Sequence, residues 1–313
     1  MLWATAWEPF EHGKGRWRIL KKTVIVDAPG KINLSLDITG VREDGYHEID
    51  TIMQAVDLRD TVTITRMSGK GIFISCDRPR VPSDDTNYAH IAARLFFDRF
   101  GLDASAISID IQKRLPMQAG MGGGSADAAG VLVGMNALFE VGADMETLCR
   151  LGREIGADVP FCIMGGIQRA RGIGEQLTRL PDLPKCHIVV AKPTAGVSTK
   201  ESYRRYDQQG AVRRPDTELL LRKLKEGDLH GLAKGMYNVL EEVAGLDEVC
   251  KLHERLLSGG AAGAMMSGSG SAVFGLFEKR SHARHCMRRL YDQAGMVFLT
   301  HPVGCGAVVV DLF

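Results

Sequence analysis

A glycine-rich run at residues 116–130 constrains this chain more than any other part of its sequence. It reads Pro-Met-Gln-Ala-Gly-Met-Gly-Gly-Gly-Ser-Ala-Asp-Ala-Ala-Gly and continues into helix-forming residues up to Leu138. Glycine lacks a Cβ and can adopt positive φ, so backbone N–H groups can converge on one anion. The following helix would direct its free N–H groups and positive dipole end to the same place. The run therefore predicts a polyphosphate-binding loop between a strand and a helix, with a flexible glycine turn as the alternative.

This loop does not follow either of the common phosphate-binding patterns. The G-x-x-x-x-G-K-[ST] loop is excluded because no Lys follows the glycines. The dinucleotide pattern G-x-G-x-x-G is excluded because Ser125 occupies the place of its last Gly.

Length and charge narrow the class of protein. A chain of 313 residues exceeds the usual size of one core and suggests two domains. With 39 basic and 38 acidic side chains, nothing favours nucleic acid or an anionic membrane as the partner. The seven cysteines are scattered without a C-x-x-C pair, which is typical of a reducing compartment and predicts a cytoplasmic protein. Residues 1–21, with three Trp, are interpreted as an extension ahead of the core.

Periodicity predicts an α+β protein, because runs of strands with interspersed helices do not follow a strict βαβ alternation. Strands are predicted at 23–28, 32–38, 49–58, 62–67, 72–76, 107–111, 167–171, 187–191, 264–266, 272–277 and near 307–310. Helices are predicted at 87–100, 125–140, 145–155, 199–206, 217–225, 229–243, 246–257 and 281–294. On the first helix, Tyr88 is predicted to lie on the apolar face. Pro181 and Pro184 mark a plausible boundary, giving predicted domains at 22–183 and 184–313.

Two further stretches carry candidate chemistry. Pro29 and Gly30 predict a tight turn, after which Lys31 and Asn33 share one side of a strand. An ammonium beside an amide can hold an anionic or hydroxylated substrate, although an edge-strand lysine that discourages aggregation fits equally well. Asp158 stands in an otherwise apolar stretch and needs a partner. It is either a general base or a carboxylate that caps or pairs locally.

Two loops complete the candidate site. Tyr46 and His47 end a polar loop and either flank a planar group or begin the next strand. A second glycine–serine loop at residues 266–272 joins two strand-like stretches. It is either a nest of backbone donors that closes over phosphate or a plain hairpin loop.

Three of these runs, at residues 29–34, 116–129 and 267–270, resemble the three ordered motifs of the GHMP kinase superfamily. Residues 38–47 and 156–161 further resemble the subgroup that phosphorylates 4-diphosphocytidyl-2-C-methyl-D-erythritol in the non-mevalonate isoprenoid pathway. The resemblance covers about residues 22–313, and Met121 stands where the family more often has Leu. It implies a two-domain fold with an S5-like N-terminal domain, a ferredoxin-like C-terminal domain and a cleft between them.

The resemblance also implies a role for each matching residue. Lys31 and Asp158 match the catalytic pair: Asp158 would accept the proton of the 2-hydroxyl, and Lys31 would hold it and neutralise charge. ATP and Mg²⁺ are the implied cofactors, with Ser125 near the metal. The residues implied to wrap the ATP phosphates are Pro116, Met117, Gln118, Ala119, Gly120, Met121, Gly122, Gly123, Gly124, Ser125 and Ala126.

The acceptor side is implied in the same way. Asn33 would bind the erythritol part, Tyr46 and His47 would hold the cytosine, and Tyr203 would stack on it, unless the nearby Tyr206 serves instead. The full implied substrate-binding set is Asn33, Tyr46, His47, Tyr203, Ser267, Gly268, Ser269 and Gly270. The protein is expected to act on a small molecule as a monomer or weak homodimer.

Two alternatives stay open at this point. One is another kinase of the superfamily that acts on mevalonate or homoserine, although neither substrate has a base for Tyr46 and His47 to recognise. The other is a nucleotide-binding regulator that has lost catalysis, which the presence of both Lys31 and Asp158 disfavours.

Overall fold

A computed structural model describes residues 22–102 and 106–313, so the predicted extension at residues 1–21 lies outside the described part. The strands are β1 (Thr23–Val41), β2 (His47–Met67), β3 (Ile72–Cys76), β4 (Ala106–Gln112), β5 (Ile167–Arg171), β6 (Gln176–Arg179), β7 (His187–Lys192), β8 (Tyr237–Asn238), β9 (Gly263–Met266), β10 (Val273–Phe277), β11 (Met296–Thr300) and β12 (Val308–Leu312). The helices are α1 (Tyr88–Phe100), α2 (Gly123–Leu138), α3 (Met145–Ile155), α4 (Val159–Met164), α5 (Thr199–Gln209), α6 (Thr217–Glu226), α7 (Leu229–Gly235), α8 (Val239–Glu242), α9 (Asp247–Ser258) and α10 (Arg280–Leu290).

The described strands form two sheets, as the α+β prediction requires. The first has eight strands in the order β12-β1-β2-β4-β3, with β5 and β6 continuing from β2 and with β8 beside β1. The second has four antiparallel strands in the order β11-β7-β10-β9, all of which follow residue 183. The first sheet nevertheless takes β8 and β12 from the second half of the chain, and the domain division at residue 183 remains a prediction. In the described part, no helix is long and apolar enough to cross a membrane.

Helix α2 positions the glycine run because it packs tightly on the first sheet. A Cβ built on Gly134 would lie 2.9 Å from side-chain atoms of both Val26 and Ile64, so only glycine allows this approach. Burial of apolar area contributes roughly 25 cal/mol per Å², and most of α2 is buried. The start of the helix, and with it the loop that precedes it, is therefore fixed against β1 and β2.

The tight turn predicted at Pro29 and Gly30 is wrong. Strand β1 runs through both residues, which pair with Arg59 and Val56 of β2 across a shift in register. The β1–β2 pairing before and after the register shift keeps the strand extended. The irregular ladder at the shift accommodates proline, which has no N–H to donate.

The single helix predicted at 229–243 is also wrong. The chain forms α7, leaves helical geometry at Met236, pairs briefly with β1 through β8, and resumes as α8. Asn238 causes the restart, because its side-chain oxygen accepts a hydrogen bond from the Leu240 N–H and caps the new helix.

Three short elements have no counterpart in the sequence prediction: α4, β6 and β11. Helix α4 has six residues, too few for a helical period to be visible. Strand β6 is largely polar, and β11 follows a helix that was predicted to continue to residue 294.

Candidate active site

The glycine run lies between β4 and α2 and alternates between core and cleft. Ala119 and Met121 are buried, whereas Gly120 and Gly122, which follow them in turn, are half-buried and adopt positive φ of 70° and 72°. Gln118 also has a positive φ, which the sequence argument did not expect of a non-glycine residue. The two glycines that follow Gly122 do not: they form the first turn of α2.

The second glycine–serine loop closes directly onto the first. A Cβ on Gly120 would lie 1.8 Å from the Ser267 carbonyl oxygen, and the Ser267 hydroxyl donates to the Gly120 carbonyl at 2.9 Å. Further along, the Ala272 N–H donates to the Ala119 carbonyl at 3.3 Å. The loop joins the antiparallel strands β9 and β10, so it is a hairpin loop that also forms one wall of the cleft.

Asn238, which the sequence analysis did not single out, holds the second loop in shape. Its side-chain nitrogen donates to the carbonyls of Met266 and Gly268 at 2.9 Å and 2.8 Å. The only sequence signal for this role would have been a helix-capping residue inside a predicted helix.

Lys31 and Asp158 meet where the two loops converge. The Lys31 Nζ lies 3.6 Å from Asp158 Oδ2, with side-chain exposures of 6% and 33%. A Cβ on Gly122 would lie 3.6 Å from Lys31 Cε and 3.8 Å from Asp158 Oδ2, and one on Gly268 would lie 3.2 Å from Lys31 Nζ. Asp158 precedes α4 but makes no side-chain capping bond, so its carboxylate remains available to the cleft.

Asn33 fixes the position of Lys31. The Lys31 Nζ donates to Asn33 Oδ1 at 2.7 Å, and Asn33 Nδ2 donates to the Thr51 hydroxyl at 2.8 Å. The Thr51 hydroxyl in turn donates to the Ser35 carbonyl at 2.5 Å. The predicted proximity of Lys31 and Asn33 on one side of the strand is confirmed. Asn33 is 2% exposed, and both its amide oxygen and its amide nitrogen take part in this chain of polar groups.

The aromatic residues predicted to hold a base lie on different elements that face each other. The rings of His47 (β2) and Tyr203 (α5) have centroids 4.7 Å apart and planes tilted by 39°. Tyr46 is 62% exposed, whereas Tyr206 is 9% exposed and packs in an apolar cluster. Of the two tyrosines left open by the sequence, only Tyr203 therefore contacts another member of the predicted site.

Helix α5 is tied to the second loop, which links the helix that carries Tyr203 to the segment that closes onto the glycine run. The Ser202 hydroxyl donates to the Ser269 carbonyl at 2.9 Å, and the Thr199 and Ser269 hydroxyls lie 3.0 Å apart. Burial raises the pKa of the Tyr203 hydroxyl, and the negative charge of Asp158 adds to the shift. That carboxylate is therefore within electrostatic reach of the aromatic end.

A second lysine–aspartate centre, absent from the sequence analysis, supports the start of α2. Lys113 Nζ donates to Asp60 Oδ2 at 2.5 Å, to Asp127 Oδ2 at 2.8 Å and to the Gly123 carbonyl at 3.3 Å. All three charged side chains are at most 5% exposed. Burial and the nearby Asp60 raise the pKa of Asp127 to about 8, against the opposing effect of Lys113.

Tyr88, which was predicted to lie on the apolar face of α1, does not point into the core. It is 42% exposed, and its ring lies 3.6 Å from the position of a Cβ on Gly124 and 3.5 Å from one on Gly156. The first helical position points the ring along the surface toward the start of α2 rather than into the core.

Ser125 is the residue implied for a metal, and its placement fits that role. It lies half-buried in the first turn of α2, at the end of the glycine run. In residues 22–102 and 106–313, no group of three or more His, Cys, Asp or Glu side chains could hold a metal ion. Mg²⁺ usually binds through one or two protein groups, substrate phosphates and water, and a site of that kind needs no such cluster.

Comparison with known families matches two separate segments of the chain. Residues 87–166 match the family described as "GHMP kinases N terminal domain", and residues 220–295 match "GHMP kinases C terminal". The first segment contains the glycine run and Asp158, and the second contains the glycine–serine loop.

Curated relatives align over nearly their whole length. A 4-diphosphocytidyl-2-C-methyl-D-erythritol kinase from Acetivibrio thermocellus is 43% identical over 90% of this chain and 100% of the relative. A protein of the same name from Caldicellulosiruptor saccharolyticus is 42% identical over 85% of this chain and 92% of the relative.

Two solved kinase structures, one at higher and one at lower sequence identity, superpose on this chain. A 4-(cytidine 5'-diphospho)-2C-methyl-D-erythritol kinase superposes with a TM-score of 0.76 at 34% identity, covering 90% of this chain and 99% of that one. A homoserine kinase from Cytophaga hutchinsonii superposes with a TM-score of 0.79 at 20% identity, covering 95% and 100%. The second match establishes the fold alone, so overall shape does not distinguish between acceptor alcohols.

Proposed function

This chain belongs to the GHMP kinases, and we propose that its cleft transfers the terminal phosphoryl group of ATP to the 2-hydroxyl of 4-diphosphocytidyl-2-C-methyl-D-erythritol. The observation that carries the proposal is the Lys31–Asp158 pair, 3.6 Å apart and partly open to solvent where two glycine-rich loops meet. The choice of acceptor is supported by relatives about 40% identical over most of the chain that bear this activity in their names. The product would be an intermediate of isoprenoid precursor synthesis.

Asp158 acts as the general base. The acceptor oxygen forms a bond to the γ-phosphorus while the bond from that phosphorus to the β–γ bridging oxygen breaks, leaving ADP. Asp158 takes the proton of the attacking hydroxyl, a contribution of about 10²–10⁴-fold for a positioned base. Lys31 is held by Asn33, so its ammonium stays directed at the reacting groups and offsets their negative charge.

The glycine run binds the phosphates. Its backbone N–H groups and the start of α2 supply preorganised donors, which need no reorganisation during the transfer. Ser125 would help to hold a Mg²⁺ ion, which would supply positive charge against the phosphates. Helix α2 is buried against the first sheet, which keeps these donors in place.

The aromatic end of the cleft binds the cytosine. Tyr203 on α5 faces the His47 ring, and the exposed Tyr46 precedes His47 in the chain, so these rings can hold a base. The His47 ring is tilted away from parallel to that of Tyr203, which suits it to the edge of the base rather than to its face.

A coupled assay of ADP release tests the proposal against its competitors. We expect turnover with the cytidyl substrate and at most trace turnover with mevalonate or homoserine. Preference for either simple alcohol would overturn the assigned acceptor. ATP binding without turnover on any of the three would overturn catalysis and favour the regulator.

A further inference from the structure

His47 is held by a carboxylate on the helix that faces it. Its Nε2 lies 2.6 Å from Oδ1 of Asp207 on α5, and its ring contacts Tyr203 one helical turn earlier on the same helix. Residues four apart on a helix share a face, so α5 presents an aromatic ring and a carboxylate to one imidazole. The His47 side chain is 12% exposed, whereas that of Asp207 is 51% exposed.

Stability does not explain this contact. An ion pair with one member half in water contributes little to folding. Helix α5 already has a cap at Ser198 and is tied to the second loop through Ser202. The side chain of Asp207 is therefore free to serve the ring it touches.

The contact defines the chemistry of the imidazole. A carboxylate only accepts hydrogen bonds, so Nε2 must carry a proton. In the neutral ring the other nitrogen, Nδ1, then holds a lone pair and accepts. Within the part of the chain that the structure describes, His47 Nδ1 has no hydrogen-bond partner.

The edge of a pyrimidine base can distinguish an accepting Nδ1 from a donating one. The exocyclic amino group of cytosine donates hydrogen bonds, and uracil has an accepting oxygen at the same position. An Nδ1 fixed as an acceptor binds the first and repels the second. Binding sites built around a specific hydrogen bond reject analogues that lack its partner.

We propose that Asp207 is a positioning residue that makes this kinase select cytosine over uracil, by fixing the tautomer and orientation of His47. This inference rests on the proposed function, because it needs a pyrimidine in the aromatic end of the cleft. Asp207 touches neither substrate nor reacting atoms and acts only through His47.

The test compares Asp207→Ala and Asp207→Asn with Gln208→Ala as a matched control, because Gln208 is the exposed neighbour on the same helix. We expect Asp207→Ala to raise the KM for the cytidyl substrate about tenfold to hundredfold. The preference over the same substrate carrying uracil should fall, while the KM for ATP and the saturated kcat stay near wild type. Asp207→Asn keeps an accepting oxygen and should retain part of the preference.

Action through His47 is tested by a double-mutant cycle. On a His47→Ala background, Asp207→Ala should have no further effect on the cytosine preference, and a full additional loss would overturn the proposal. Nitrogen-15 shifts of the His47 ring should show a protonated Nε2 in the wild type and a mixture of tautomers in Asp207→Ala.

The wild-type assay separates this inference from the proposed function. Failure of the wild type to phosphorylate the cytidyl substrate would overturn the proposed function. Normal wild-type turnover with an unchanged preference in Asp207→Ala would overturn only the role of Asp207.

Discussion

Two lysine–aspartate centres flank the glycine run, and they are built in opposite ways. Lys113 lies between two fully buried carboxylates at 2.5 Å and 2.8 Å. Lys31 lies 3.6 Å from Asp158, whose side chain is one-third exposed. The first centre is closed and has its ammonium bonds satisfied within the protein, whereas the second is longer and open on one side.

The Lys113 centre supports the glycine run, whereas on the proposed mechanism the Lys31–Asp158 centre reacts beside it. A buried ion pair is strongly destabilised when one partner is removed, because the remaining charge has no solvent. A partly exposed carboxylate tolerates loss of its partner, but it is also the one that an acceptor hydroxyl can reach. On the proposed mechanism, the same two residue types therefore serve stability on one side of the loop and chemistry on the other.

The largest effect should come from Asp158→Asn, which keeps the shape of the open centre and removes its base. We expect kcat to fall about 10²–10⁴-fold with ATP affinity and the unfolding midpoint near wild type. Single-turnover kinetics and calorimetric ATP titration measure the two effects. Near-normal turnover would show that Asp158 is not the general base, and the two centres would then not differ in the way proposed.

Lys113→Met should have the next largest effect, and on stability rather than on chemistry. It strands Asp60 and Asp127 in the core, so we expect a loss of about 3–5 kcal/mol in the free energy of unfolding. Urea denaturation monitored by fluorescence measures it. The matched variant is Lys31→Met, which should lose turnover but much less stability; equal losses in both variants would contradict the division between the centres.

Gly120→Ala probes the loop between the two centres. An alanine at this position would have to adopt a positive φ, and its Cβ would lie 1.8 Å from the Ser267 carbonyl oxygen. The two loops would therefore be forced apart in the variant. We expect ATP affinity to fall by about tenfold or more, equivalent to ~1.4 kcal/mol. The control is Gly101→Ala, which has a similar φ but open space around its Cβ. Equal ATP affinities in the two variants would show that the loop contact does not matter for binding.

The last comparison concerns pH and the closed centre. The pKa of Asp127 is raised to about 8, whereas in an unfolded chain it is about 3.9. Between these values the folded state holds a proton that the unfolded state releases, so this group's contribution to stability falls as pH rises through that window. The Asp127→Asn variant has no titratable carboxyl group at this position, so it lacks this pH dependence.

The melting temperature of Asp127→Asn, relative to wild type, should therefore increase from about pH 5 to about pH 9. The raised pKa acts over about three pH units of this range, at ~1.4 kcal/mol per unit, so at ~2–4 °C per kcal/mol the increase should be on the order of ten degrees. Differential scanning calorimetry at matched ionic strength measures it. A constant difference across this range would mean that Asp127 is ionised in the folded protein throughout.

Sequence reasoning located the open centre but missed the closed one, and the reason is physical. The residues alone left the roles of Lys31 and Asp158 open, and the resemblance to the GHMP kinases implied that they form a pair. Lys113 and Asp60 are 53 residues apart and resemble ordinary strand-end charges until the fold brings them together. Asp127 lies inside the glycine run itself, but nothing local shows that it faces the core.

The other errors have the same origin. Pro29 and Gly30 are typical turn residues, yet long antiparallel pairing with β2 keeps them in a strand. Asn238 interrupts a helical pattern because it serves a loop about thirty residues away. Local propensity yields to long-range partners in both cases, and a single sequence does not display such partners.

The neighbouring positions of β1 and β12 have a consequence for how the protein is made. The first strand of the described chain pairs with the last, Val24 opposite Leu312. Until β12 has docked, β1 has an open outer side and the large sheet is incomplete. Closing contacts of such wide sequence separation slows folding. A folding intermediate that lacks β12 at this position would therefore be exposed to misassociation through that edge, and the docking of β12 seals it.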